Sequence, residues 1–90
     1  MSESRRTVLI SNRRGLHARA SAKFVTLASG QPVPLMVEKD GSSVTATSIM
    51  GLMMLGAAMG DTITISAEGD GAEGAVDALV QLVEDRFGED

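Results

Sequence analysis

One face of the last predicted helix is the hardest constraint on this chain. After the break at Glu68-Gly69-Asp70-Gly71, Ala72, Val76, Leu79, Val80, Val83 and Phe87 fall on one side of a helix that the pattern carries to Phe87-Gly88. Ninety residues make one small domain, 1–90, at a size where folding removes only somewhat more than about 60% of the unfolded chain's surface from water. The apolar stripe therefore needs a compact partner layer.

Strand patterns supply that layer. From Asp61 to Ala67, Ile63, Ile65 and Ala67 alternate with Thr62, Thr64 and Ser66, so one face packs and the other stays wet. Near the start, Thr7-Val8-Leu9-Ile10 predicts a strand from Arg6 to Ser11, with Val8 and Ile10 on one face, Leu9 on the other, and residues 1–4 as a loose tail. Leu35–Glu38 and Ser43–Thr45 flank Lys39-Asp40-Gly41-Ser42, whose Asp-Gly pair suits the positive φ angles of a tight hairpin.

Two further helices lie between the strands. Ala18 to Ala28 holds no Gly or Pro and places Ala20, Phe24, Leu27 and Ala28 on one stripe; Ser29-Gly30 ends it and Gln31-Pro32-Val33-Pro34 cannot continue it. Thr47-Ser48 reads as a cap before the short, very apolar run Ile49 to Gly56. Spacing favours burial of Ile49, Leu52, Met53 and Leu55, yet one short helix packed on one side cannot bury its whole circumference. Part of the run, with Met50, Met53 and Met54 as candidates, is expected to stay exposed as an adaptable contact surface. The order strand, helix, strand, strand, helix, strand, helix suits a two-layer α/β (α+β) sandwich, an antiparallel sheet with helices on one face.

Composition removes several functions. The chain has no cysteine and one histidine, so disulfides, thiolate metal sites and a histidine-rich metal cluster are unavailable, and neither a metal nor a cofactor is expected. Eight basic against twelve acidic residues give a net charge of −4, and only Phe24 and Phe87 are aromatic, which argues against nucleic acid. No leader-like or membrane-length apolar run is visible, so a cytoplasmic protein without membrane insertion, monomeric by default, is expected.

The single histidine lies in Gly15-Leu16-His17-Ala18-Arg19-Ala20-Ser21-Ala22, where an extended segment gives way to a helix. A helix starting at or just after His17 leaves its first N–H groups unpaired and concentrates partial positive charge there, a site that favours anions such as phosphate. The same field disfavours a cationic imidazole, and the neutral ring is a usable nucleophile. Arg19 adds a guanidinium fork matched to phosphoryl oxygens, and Arg13 and Arg14 add positive potential. Arg5, Arg6 and Lys23 belong to the same basic first quarter, whereas acids dominate from Asp61 onward.

This octet resembles the phosphorylation-site motif of HPr, the histidine phosphocarrier family of the bacterial phosphotransferase system, and the likeness extends to the Ser48-Ile49-Met50-Gly51 segment and the final helix. The resemblance implies an open-faced sandwich whose four-stranded antiparallel sheet has the order 1-4-2-3 with three helices on one side. It implies that His17 takes a phosphoryl group at Nδ1 from phosphorylated Enzyme I and passes it to the histidine of an EIIA-type acceptor, with Arg19 stabilising the phosphate. Ser48 falls at the family's regulatory serine, the target of HPr kinase/phosphorylase, and Ile49, Met50 and Met53 at its partner contacts. Two departures stand out: Ala20 replaces a common proline, and Thr47 stands where many members carry a basic residue.

Three functions compete. A phosphocarrier uses His17 and is a substrate rather than a catalyst; a regulator of the same fold, as in nitrogen-related branches, is read through the states of His17 and Ser48; an interaction domain uses the Met-rich helix 48–55 and leaves His17 incidental. A self-sufficient enzyme is disfavoured, because no second histidine, nucleotide-binding glycine motif or metal cluster accompanies His17.

Overall fold

A computed structural model describes residues 3–89. Strands β1 (Glu3–Leu9), β2 (Leu35–Lys39), β3 (Ser42–Thr45) and β4 (Thr62–Glu68) alternate with helices α1 (Ala18–Ser29), α2 (Ile49–Met54) and α3 (Ala72–Glu84), and a 3-10 turn covers Arg86–Gly88. The strands form one sheet in the order β1-β4-β2-β3, with every neighbouring pair antiparallel. This is the open sandwich that the resemblance implies.

Alternation decides which face of the sheet is dry. Val8, Leu35, Val37, Ile63, Ile65 and Ala67 are buried, while Thr7 and Thr64 pair on the open face through their hydroxyls at 2.9 Å. Helix α3 packs across β1 and β4 with Ala72, Ala75, Val76, Leu79, Val80 and Val83, and α1 lies beside α3 and α2, contributing Ala20, Phe24 and Ala28 to the same core. Leu27, expected on that stripe, is only partly buried and packs at its margin. Arg6 in β1 reaches Asp77 in α3 at 2.9 Å across exposed surface, a contact of small energetic weight.

The β2–β3 hairpin forms as its Asp-Gly pair requires: Asp40 and Gly41 have φ of 51° and 84° between Lys39 and Ser42, which face each other in the ladder. Leu52 of α2 and Leu55, which ends the helix, enter the core, whereas Ile49 and Met53 are exposed along with Met50 and Met54.

The structure corrects two boundaries. Glu3 and Ser4 are not part of a loose tail; they pair with Glu68 and Ala67, because β4 extends far enough to template them. Met1 and Ser2 of that tail lie outside the described residues. Helix α3 stops at Glu84, short of Phe87, because Arg86 and Phe87 adopt left-handed φ of 56° and 55°. The Phe87 ring still reaches the core, since it is buried on the far side of that reversal.

Phe24→Ala removes a fully buried ring of α1 from the core and is expected to lower unfolding free energy by about 3–5 kcal/mol in urea titrations. Leu9→Ala, at a side chain 53% exposed on the wet face, should change it by no more than about 0.5–1 kcal/mol.

Candidate functional site

His17 caps α1. Its backbone is extended (φ −72°, ψ −179°), its side chain makes no capping bond, and the first helical carbonyl bond runs from Ser21 N to His17 O at 2.9 Å. The opening N–H groups of α1 are thus left without a side-chain acceptor from the cap, and no acidic residue occupies the first turn.

The turn before the helix is fixed by its neighbours. Leu16 N donates to Ala57 O at 2.9 Å, the buried Ser21 Oγ donates to Leu16 O at 3.2 Å, and Ile10 N and Gly60 N tie the same loop to the segment before β4. Gly15 has φ of 63°, and a Cβ there would lie 2.3 Å from Ala57 O, so backbone passes where no side chain fits. These contacts set the position of His17 at the joint between β1 and α1.

The ring itself has a partner that the sequence does not announce. Glu89 Oε2 lies 2.7 Å from His17 Nε2, and the two side chains are 14% and 17% exposed. Glu89 Oε1 accepts from Asn12 Nδ2 at 3.1 Å, and the same amide donates to Gly15 O at 2.9 Å. Asn12 is fully buried, with Oδ1 left without a partner, a cost of about 1–3 kcal/mol that its two donated bonds must offset. Burial would raise the Glu89 carboxyl, but the hydrogen bonds from His17 and Asn12, with the charges of His17 and Lys23, outweigh it and hold the group below its ordinary value.

Among the described residues Nδ1 of His17 makes no hydrogen bond. Arg13, Arg14 and Arg19 line a pocket of about 340 Å³ together with Glu89, the partner of the ring. No carboxylate among the described residues forms an ion pair with these three arginines, so their charge is available to a bound anion. A larger apolar groove of about 610 Å³, lined by Arg19, Lys23, Leu27, Gly30 and Leu82 among others, shares Arg19 with it.

Not every expected basic residue gathers here. Arg5 pairs with Glu38 at 2.9 Å and Arg6 with Asp77, so both belong to the sheet, and Lys23 donates to Phe87 O at 2.7 Å. Ser48 is the N-cap of α2, its Oγ accepting from Gly51 N at 2.9 Å, with Thr47 exposed before it. Ile49, Met50 and Met53 lie on the exposed side of α2, where Met50 is 70% and Met54 81% exposed. Ala20, in the position that departs from the family pattern, is fully buried in the first turn of α1. Asn12 and Glu89 escape sequence reasoning because 77 positions separate them and neither lies on a periodic stripe.

Residues 4–85 match the family model described as PTS HPr component phosphorylation site. Phosphocarrier protein HPr of Cupriavidus necator is 45% identical over 84 residues, covering 93% of this chain and 94% of that relative. Phosphocarrier protein NPr of Shewanella violacea is 39% identical over 89 residues, covering 99% and 98%. The crystal structure of HPr-C-His from Thermoanaerobacter tengcongensis superposes with a TM-score of 0.89 at 49% identity, covering 100% of this chain and 99% of that one.

The lowered Glu89 carboxyl gives the tail a definite acid response. The unfolded group titrates near 4.5 and the folded group below it, so its contribution to stability is complete above about pH 4.5 and is lost as pH falls through the lowered value. The difference in urea midpoint between the native chain and Glu89→Ala should therefore be constant at neutral pH and close on acidification.

Proposed function

Because the chain belongs to the HPr family of phosphocarrier proteins, we propose that it carries a phosphoryl group on His17. The carrying observation is one imidazole at the open N-terminus of α1, with Nε2 engaged by Glu89, Nδ1 free of hydrogen bonds among the described residues, and three arginines lining a pocket that Glu89 shares. In this reading, Nδ1 accepts the group from phosphorylated Enzyme I, which draws it from phosphoenolpyruvate, and hands it to the histidine of an EIIA-type acceptor. Arg19 and the first N–H groups of α1 stabilise the oxygens.

Ile49, Met50 and Met53 dock both partners, since thioethers repack readily against differently shaped surfaces. Ser48 is the regulatory position for an HPr kinase/phosphorylase. A phosphate at this cap suits the helix end yet sets about −1.5 to −2 charges beside the apolar contacts and penalises docking. The protein acts as one monomeric domain, 1–90, in the cytoplasm, as a substrate rather than a catalyst. Among the described residues no helix is long and apolar enough to cross a membrane.

A second reading rests on the exposed methionines: a mainly regulatory interaction domain that works through helix 48–55. Under that reading Met50→Asp abolishes partner binding while His17→Ala leaves it unchanged.

Incubation with phosphoenolpyruvate and Enzyme I should add one acid-labile phosphoryl mass, absent from His17→Ala and formed about tenfold or more slowly in Arg19→Ala. An acid-stable adduct, or one that persists in His17→Ala, would refute the carrier mechanism.

A further inference from the structure

A neutral imidazole has one N–H and one lone pair, and which nitrogen holds which is set by its hydrogen bonds. An ionised carboxylate only accepts, so the 2.7 Å contact from Glu89 requires the proton on Nε2 of His17. We propose that Glu89 is the positioning residue of this site: by accepting the Nε2–H it holds His17 in the tautomer whose Nδ1 lone pair is free to take the phosphoryl group. The inference rests on the reading of His17 as phosphoryl acceptor.

The carboxylate is itself held in place. Its second oxygen is occupied by the Asn12 amide, which is anchored on Gly15 O, so Glu89 cannot rotate away without stranding a buried donor. The backbone that presents it turns through Arg86 and Phe87 in left-handed conformations, which L-residues rarely adopt in succession. Burial of the Phe87 ring and the bond from Lys23 Nζ to Phe87 O keep that turn closed. A reversal held at this cost, ending on a carboxylate against the one histidine, is explained by a task for the carboxylate. Its lowered pKa keeps it ionised, and hence an acceptor only, throughout the neutral range.

The arrangement also fits the course of the transfer. Nδ1 donates its lone pair to phosphorus as the bond from phosphorus to the donor breaks, and the electron pair of that bond leaves with the donor. The Nε2 proton stays on the ring throughout, facing Glu89. While Nδ1 gives up its pair the ring gains imidazolium character, which the adjacent carboxylate stabilises as the aspartate of a catalytic triad does. Transfer to the acceptor reverses the step and returns the pair to Nδ1.

The test uses the full chain with ¹⁵N-labelled imidazole, well above the ordinary imidazole range. Native protein is expected to show one tautomer, protonated at Nε2, with that proton protected from solvent exchange. Glu89→Ala should lose the protection and populate both tautomers, and Glu89→Gln, which has one oxygen to serve both the Asn12 amide and the Nε2–H, should restore the Nε2-protonated tautomer only in part. With Enzyme I as donor, Glu89→Ala should turn over about tenfold more slowly at unchanged KM and place part of its phosphate on Nε2.

An unprotonated Nε2 in the native protein, or a Glu89→Ala ring with the native tautomer and exchange rate, would overturn the positioning role. Equal turnover and exclusive Nδ1 phosphorylation in that variant would do so as well. Failure of the native chain to take any phosphate at His17, with Enzyme I active on another carrier, defeats the carrier reading instead, and the nitrogen spectra still report whether Glu89 sets the tautomer.

Discussion

The sheet has one dry face, and everything else is arranged around covering it. Val8, Val37, Ile63 and Ile65 point to that side from three adjacent strands. Helix α3 covers β1 and β4, and α1 completes the layer beside it. Because α1 must lie in that layer, its start is brought to the joint after β1, and the loop from Ile10 to Leu16 is forced against the segment before β4. The close passage of Gly15 over Ala57 follows from this packing, and with it the placement of His17. The site is thus a by-product of how α1 meets the sheet, refined by a few polar ties.

Most of that architecture is legible in the sequence because it is written in local periods. The alternation of Ile63, Ile65 and Ala67 identifies a half-wet strand, Asp40-Gly41 identifies the hairpin, and Ser48 marks the start of α2 through its own side chain. The location of His17 at a helix start is legible for the same reason: the switch from a β-branched run to a helical one happens in one place.

What is not legible depends on partners remote in sequence. Glu3 and Ser4 carry no strand signal of their own and are ordered by the length of β4. Phe87 fits the apolar stripe of α3 so well that periodicity alone extends the helix through it, although its backbone has already reversed and only its ring rejoins the core. Arg5 and Arg6 look like neighbours of the basic site, but strand direction carries them away to Glu38 and Asp77. The contacts of Asn12 with Glu89 join loop residues whose surroundings, rather than their spacing, bring them together.

The separation between His17 and Glu89 has a consequence for the biosynthesis of the protein. The two residues are 72 positions apart, and β1, which leads into the site, pairs with a strand made some 60 residues later. As the chain emerges during translation, His17 appears early with neither its anchoring loop nor its carboxylate in existence. Ring, amide and carboxylate meet only after the long-range pairing of β1 with β4 and the closing of the tail turn, so a nascent or prematurely terminated chain displays the motif without the assembled site.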